Sequence, residues 1–181
     1  MQSKLSGERI VMGQSRKDST NRMHQGDLQP NIGLDADDRQ AVAEILTKLL
    51  PIETGLTIKT RFAHWNVRGK RYFEQRSLLS SHYEQLNQII ENLNDRIRML
   101  GEIAVDRLQE FLGSFKWDDL RKDGPDIKEL LAAHETAIRS LREDAKKCSE
   151  EYGDEVTRQF LVEILFQHEK MAWNLRSYFE P

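Results

Sequence analysis

From Asp35 onward the chain places apolar side chains with the period of an α-helix, and nowhere with the two-residue period of a strand. The first such stretch carries Val42, Ile45, Leu46 and Leu49 behind Asp35, a suitable N-cap, with Asp37 and Asp38 where carboxylates meet the positive end of the helix dipole. The spacing predicts a helix to about Asn66. Pro51 and Gly55 fall inside it, and an interior proline costs about 3 kcal/mol or bends the axis, which predicts a kink or a split into two segments. After Gly69 a second helix is predicted from Tyr72, where Leu79, Tyr83, Leu86, Ile90, Leu93, Ile97 and Leu100 repeat at spacings 4, 3, 4, 3, 4, 3 before a Gly101 cap.

Val105, Leu108 and Leu112 suggest a short helix in the connection that follows, and Lys116 to Pro125 reads as a loop. Ile127, Leu131, His134, Ile138, Leu141, Ala145 and Cys148 then repeat the 4, 3 alternation as far as the Tyr152-Gly153 turn. A last helix, near Asp154 to Phe179, carries Phe160, Ile164, Met171, Leu175 and Tyr178 on its inner side. Four long amphipathic helices with one long middle crossover describe an all-α, up-down-down-up bundle of the ferritin type.

Composition refines this picture at the ends of the chain. Residues 1 to 34 hold few large apolar side chains and four of the ten glycines, so they bury too little to offset ordering entropy. They are expected to form a flexible tail, and residues 35 to 181 the bundle domain. Five basic against three acidic residues give the tail a charge of +2, which leaves −5 on the remainder of a chain whose net charge is −3. No run of 18 uncharged apolar residues exists and the first 30 residues lack an export signature, so a cytoplasmic protein with no membrane partner is expected. The single Cys148 excludes an intramolecular disulfide.

Candidate chemistry is sparse. No Gly-rich phosphate loop, Gly-x-Ser-x-Gly elbow or His-Glu-x-x-His pair occurs. No Glu is followed by His three residues on, the pattern that builds a di-iron carboxylate site within one bundle, so a conventional ferritin site is not expected. What remains is His64 at the end of the first helix and the pair Glu91 and Asp95, one turn apart on the second. Carboxylates at i and i+4 share a face and can grip one cation; the competing account is a solvated helix flank, and for His64 a packing residue.

The segment Lys59-Thr60-Arg61-Phe62-Ala63-His64-Trp65-Asn66-Val67-Arg68-Gly69 resembles the mini-ferritin family known as Dps, the DNA-binding proteins from starved cells. Tyr83-Glu84-Gln85-Leu86, Asp95-Arg96-Ile97-Arg98-Met99-Leu100-Gly101, His134-Glu135-Thr136 and His168-Glu169-Lys170-Met171-Ala172-Trp173 extend that likeness over about Asp35 to Glu180. The resemblance implies a homododecameric cage with twofold dimer interfaces. It also implies a ferroxidase that oxidises ferrous iron with peroxide or oxygen and stores the ferric mineral, some members also coating DNA. In that family the iron site lies between two subunits, and by position His64 matches its first His while Glu91 and Asp95 match the partner's paired acids. Other divalent metals such as zinc suit the same donors.

Two positions depart from the family. Arg76 stands where a second His is usual, and Ser80 where a third acid is usual. An antiparallel pairing of the second helix centred between residues 85 and 86 sets Arg76 against Asp95 of the mate and Ser80 against Glu91. A guanidinium cannot deprotonate to bind a metal and offers a fork suited to a carboxylate. The expectation is an Arg76 to Asp95 salt bridge between subunits and an altered or weakened ferroxidase. Trp65 resembles a family aromatic placed beside the iron, against which stands simple interface packing. Glu151, Asp154 and Glu155 are candidate ion-entry acids, against which stands a solvated helix start. DNA contact, if any, falls to the basic tail. Two other readings remain: a structural or DNA-associated shell without ferroxidase activity, and a four-helix interaction module unrelated to iron.

Overall fold

The computed structural model describes residues 29–105, 113 and 124–179. Four helices form among them: α1 (Ala36–Asn66), α2 (Tyr72–Met99), α3 (Ile127–Glu150) and α4 (Glu155–Arg176), and no strand. Most of the expected tail, the short helix expected around Leu108 and Leu112, and the greater part of the expected loop from Lys116 lie outside the described residues.

Helix directions follow from the contacts at their ends. The guanidinium of Arg39, at the start of α1, donates to the carbonyl of Leu100, just past the end of α2. Arg96, late in α2, pairs with Asp154 at the start of α4, and Arg176, at the end of α4, pairs with Glu135, early in α3. Gly124, before α3, lies against the backbone of Phe62 at the far end of α1. The order is therefore up, down, down, up, and the α2 to α3 connection crosses the length of the bundle, as the sequence pattern predicts. α1 pairs with α2 and α3 with α4, and the two pairs meet through α1 against α3 and α2 against α4.

The core is a continuous apolar column that includes Leu46, Leu86, Leu93, Leu141, Leu161 and Met171, all fully buried. Its register differs in detail from the expected seams. In α2 the inward positions include His82 and Ile89, while Tyr83 and Ile90 are only half-buried. In α3 Leu130 and Ala137 are buried and Leu131 and Ile138 are half-buried. In α4 Leu161, Leu165, His168 and Ala172 join the inner face, whereas Phe160 and Tyr178 sit at its edge. The reason is geometric: each helix faces two neighbours, so its buried stripe is wider than a strict two-helix seam and takes in the adjoining positions.

Local signals explain where the helices stop. Gly101 takes φ +97°, its N–H donates to the carbonyl of Arg98 and that of Glu102 to Ile97, a left-handed ending that satisfies the last carbonyls of α2. α3 begins with a reciprocal pair in which the Asp126 carboxylate accepts from the Glu129 N–H while the Glu129 side chain accepts from the Asp126 N–H. Asp35 is the N-cap residue of α1 as expected, but its side chain makes no capping bond. α1 runs unbroken through Pro51, so of the two expected outcomes, a kink or a split, the split does not occur. Leu50 and Leu56 on either side of that proline are buried in the core, and this packing offsets the lost backbone bond.

Asp154 carries the densest polar network. Its carboxylate accepts from the Thr157 N–H at 2.8 Å, capping α4, and from Arg96 at 2.9 Å, while the Thr157 hydroxyl lies at 2.5 Å. The carboxylate is 2% exposed, so removing it strands a buried guanidinium as well as a helix start. Asp154→Ala is expected to cost about 3 kcal/mol or more, read as a lowered urea midpoint. Arg142→Ala, which breaks the exposed pair with Glu169, should cost under about 1 kcal/mol.

Candidate functional site

His64 sits in the last turn of α1, buried, with Nδ1 lacking an aligned hydrogen-bond partner among the described residues. Its ring lies edge-on to Tyr83 at 5.5 Å between centroids. Arg76 of α2 reaches the same place: its Nη1 donates to the His64 carbonyl at 3.2 Å and its guanidinium lies over the Tyr72 ring. Burial first, and the Arg76 charge second, hold the His64 imidazole below its ordinary pKa. The histidine is thus presented as a neutral donor, but with a fixed positive charge beside it.

Glu91 and Asp95 lie together on the exposed side of α2, away from His64 of the same chain toward the other end of the helix. The structure therefore does not bring the three together within one chain. Among the described residues no group of three or more His, Cys, Asp or Glu side chains is arranged to hold a metal ion. Ser80 is turned into local contacts, its hydroxyl 3.4 Å from both the Tyr83 hydroxyl and a Glu84 carboxylate oxygen. Trp65 is 61% exposed and stacks obliquely on Phe62.

At the α3 to α4 turn, Glu151 and Glu155 are exposed. Glu155 accepts from Ser149 and from Arg158, and those bonds hold its carboxyl below the usual carboxylate range. Asp154 is different: it is buried and committed to Arg96 and Thr157. Cys148 is buried, and its thiol is pushed up to about 12 by burial and by the charges of Asp154 and Asp144, so it stays protonated and inert.

A second polar cluster, which the sequence reading did not assemble, occupies the middle of the bundle. Each helix contributes one buried member: Glu53 from α1, His82 from α2, His134 from α3 and His168 from α4. The Nδ1 atoms of His134 and His168 face each other at 3.0 Å. His168 Nε2 lies 3.1 Å from Glu53 Oε2, close enough for an electrostatic contact but without hydrogen-bond alignment. The His82 ring packs edge-on to His134 at 5.9 Å. A signal was present in the sequence, because each residue holds a seam position: Glu53 between Leu49 and Leu56, His82 between Leu79 and Leu86, His134 between Leu130 and Leu141, His168 between Ile164 and Met171. Four polar residues in phase with four apolar stripes must meet at the axis.

The comparisons with known proteins fit this fold. The model for the ferritin-like domain matches residues 43–181. An uncharacterized low temperature-induced protein of Nostoc sp. strain PCC 7120 is 32% identical over 154 residues, covering 83% of this chain and 86% of that protein. A DNA protection during starvation protein of Agrobacterium fabrum is 24% identical over 149 residues, covering 80% of this chain and 91% of its own. Among solved structures, DpsC from Streptomyces coelicolor superposes with a TM-score of 0.76 at 25% identity, over 86% of this chain and 92% of that one. The chain belongs to the ferritin-like domain family, as a member of its Dps group. No helix among the described residues is long and apolar enough to cross a membrane.

Burial sets the protonation of the central cluster. It is the largest cause holding His82 down to about 4 and His134 well below 6.5, the charge of His168 acting in the same direction. Because the folded pKa is depressed, the unfolded chain takes up a proton first as pH falls. The stability of the neutral His82 is fully present above about pH 6.5 and lost toward pH 4, on the order of 3 kcal/mol from that residue. Urea midpoints of the metal-stripped protein should fall from pH 7 to pH 5, and His82→Leu should flatten the slope. An unchanged slope in that variant would contradict the assignment.

Proposed function

We propose that the chain assembles in the cytoplasm as a hollow homododecamer and takes ferrous iron as substrate at a centre shared across each twofold interface. In this reading His64 of one subunit faces Glu91 and Asp95 of its neighbour. Two ferrous ions supply the two electrons that split one peroxide O–O bond, and the ferric product is stored inside. The observation that carries the reading is the buried, neutral His64, whose Nδ1 has no aligned partner among the described residues, together with two exposed carboxylates one turn apart. Phe166 (66%) and Trp173 (60%), two turns apart on one exposed face of α4, suit a contact between subunits.

Arg76 makes the centre a weakened one. Its guanidinium already lies beside His64, and in a twofold pairing the remaining donors would reach Asp95 of the neighbour. An incoming cation then competes with a tethered charge, and Ser80 supplies no carboxylate in compensation. Exposed Glu151 and Glu155 are proposed to draw cations toward the shell, while Asp154 contributes its charge only through the ion pair it already makes. The same Arg76 contact favours a second reading, a shell of this architecture with no ferroxidase activity.

The readings separate in an anaerobic ferrous titration followed by peroxide. The altered centre should bind one ferrous ion per site and oxidise it slowly, two such sites together consuming one peroxide, and the inert shell should oxidise none above the rate of free iron. Arg76→His with Ser80→Asp should raise the peroxide-driven rate roughly tenfold or more, as expected when metal-site environments are restored. Rapid oxidation of two irons per site by the unaltered protein would remove the weakened-site idea. No gain in the double variant would mean that the reacting centre lies elsewhere.

DNA contact is assigned to residues 1 to 34, which carry +2 against −5 on the rest. Twelve weakly basic arms on one shell act together where one would not. Binding by the full-length cage in a gel shift should weaken steeply with salt and vanish when the arm is removed. Persistence without the arm would transfer the contact to the shell.

A further inference from the structure

Among the described residues, seven buried side-chain nitrogen and oxygen atoms lack an aligned hydrogen-bond partner, and six of them belong to Glu53, His82, His134 and His168. Such atoms are ordinarily rare and scattered. Their concentration at one height of the bundle, one residue from each helix, requires a physical reason. Apolar side chains would fill the same space without the penalty, as Leu86 and Leu141 do along the same column.

We propose that Glu53, His82, His134 and His168 form an intrasubunit site for one divalent transition-metal ion, separate from the centre at the twofold interface. Three imidazoles, one of them backed by a carboxylate on its outer nitrogen, suit borderline cations such as zinc, cobalt or ferrous iron. His134 Nδ1 and His168 Nδ1, 3.0 Å apart, stand at the separation of two ligands about 90° apart around such an ion, given metal–nitrogen bonds of about 2.1 Å, and need open by only about 0.4 Å for a tetrahedral one. Glu53, 3.1 Å from the other nitrogen of His168, is placed to fix that ring and to balance the ion's charge. His82 has both ring nitrogens buried and unpartnered beside His134. In the described conformation no three donors converge, so binding turns the His82 ring until one nitrogen joins the facing pair.

Burial keeps His82 and His134 neutral near pH 7, the state in which an imidazole ligates. The site does not have the Glu-x-x-His pairs of a di-iron carboxylate centre, and its single carboxylate suits one ion rather than two.

The test uses the full-length assembled protein, stripped with a chelator and titrated with cobalt(II), whose visible absorption reports nitrogen ligation. A Glu91→Gln/Asp95→Asn background removes the interface centre. The expected result is one cobalt per chain in that background, with bands that disappear in His134→Gln/His168→Gln. His82→Asn, a milder change that keeps the polar volume, should weaken binding roughly tenfold or more, as should Glu53→Gln. Zinc should raise the melting temperature of the Glu91→Gln/Asp95→Asn protein. Failure of that background to bind cobalt overturns the proposal and leaves the interface reading standing, and so does binding unchanged by His82→Asn. Iron oxidation that persists undiminished in the Glu91→Gln/Asp95→Asn background, with cobalt binding intact, would remove the interface reading alone.

Discussion

Everything in this molecule depends on closing four apolar stripes around one axis. Leu46, Leu86, Leu93, Leu141 and Leu161 are removed from water together, and the burial of each is conditional on the other helices being in place. Helix propensity alone would leave the interior proline of α1 a weak point; packing on both sides of Pro51 carries the helix through it. Long-range polar contacts then select one arrangement of the stripes. Arg39 with Leu100, and Arg96 with Asp154, join helix ends distant in sequence and fix which end of each rod meets which.

The up-down-down-up order was legible because it follows from four periodic stretches and one long connection, both explicit in the chain. The finer register was not. A 4, 3 alternation describes a helix facing one partner, whereas each helix here faces two, so Ile89 and Leu130 are buried at positions the alternation skips. His64, Glu91 and Asp95 could be singled out by type and spacing, yet their meeting requires another subunit, and no periodicity within one chain specifies it. The Arg76 contact with the His64 carbonyl was likewise invisible, since it crosses the α1 to α2 turn.

In the central cluster the sequence carries each residue in phase with its apolar neighbours. A single imidazole among leucines reads as a packed histidine. Four polar residues from four stripes carry different information, because the closing of the bundle forces them to one level. The absence of Glu-x-x-His argued against one particular chemistry inside the bundle, and it was silent on sites built one residue per helix.

The fastening of Gln29 and Pro30 against Gly101 and Arg39 has a spatial consequence. Gln29 and Pro30 lie at the pole where α1 begins, whereas His64 lies at the opposite pole, about 45 Å away along a 31-residue helix. That separation is several Debye lengths, so exposed charges at the two poles are screened from one another. A change of charge at one pole therefore leaves the electrostatics of the other undisturbed.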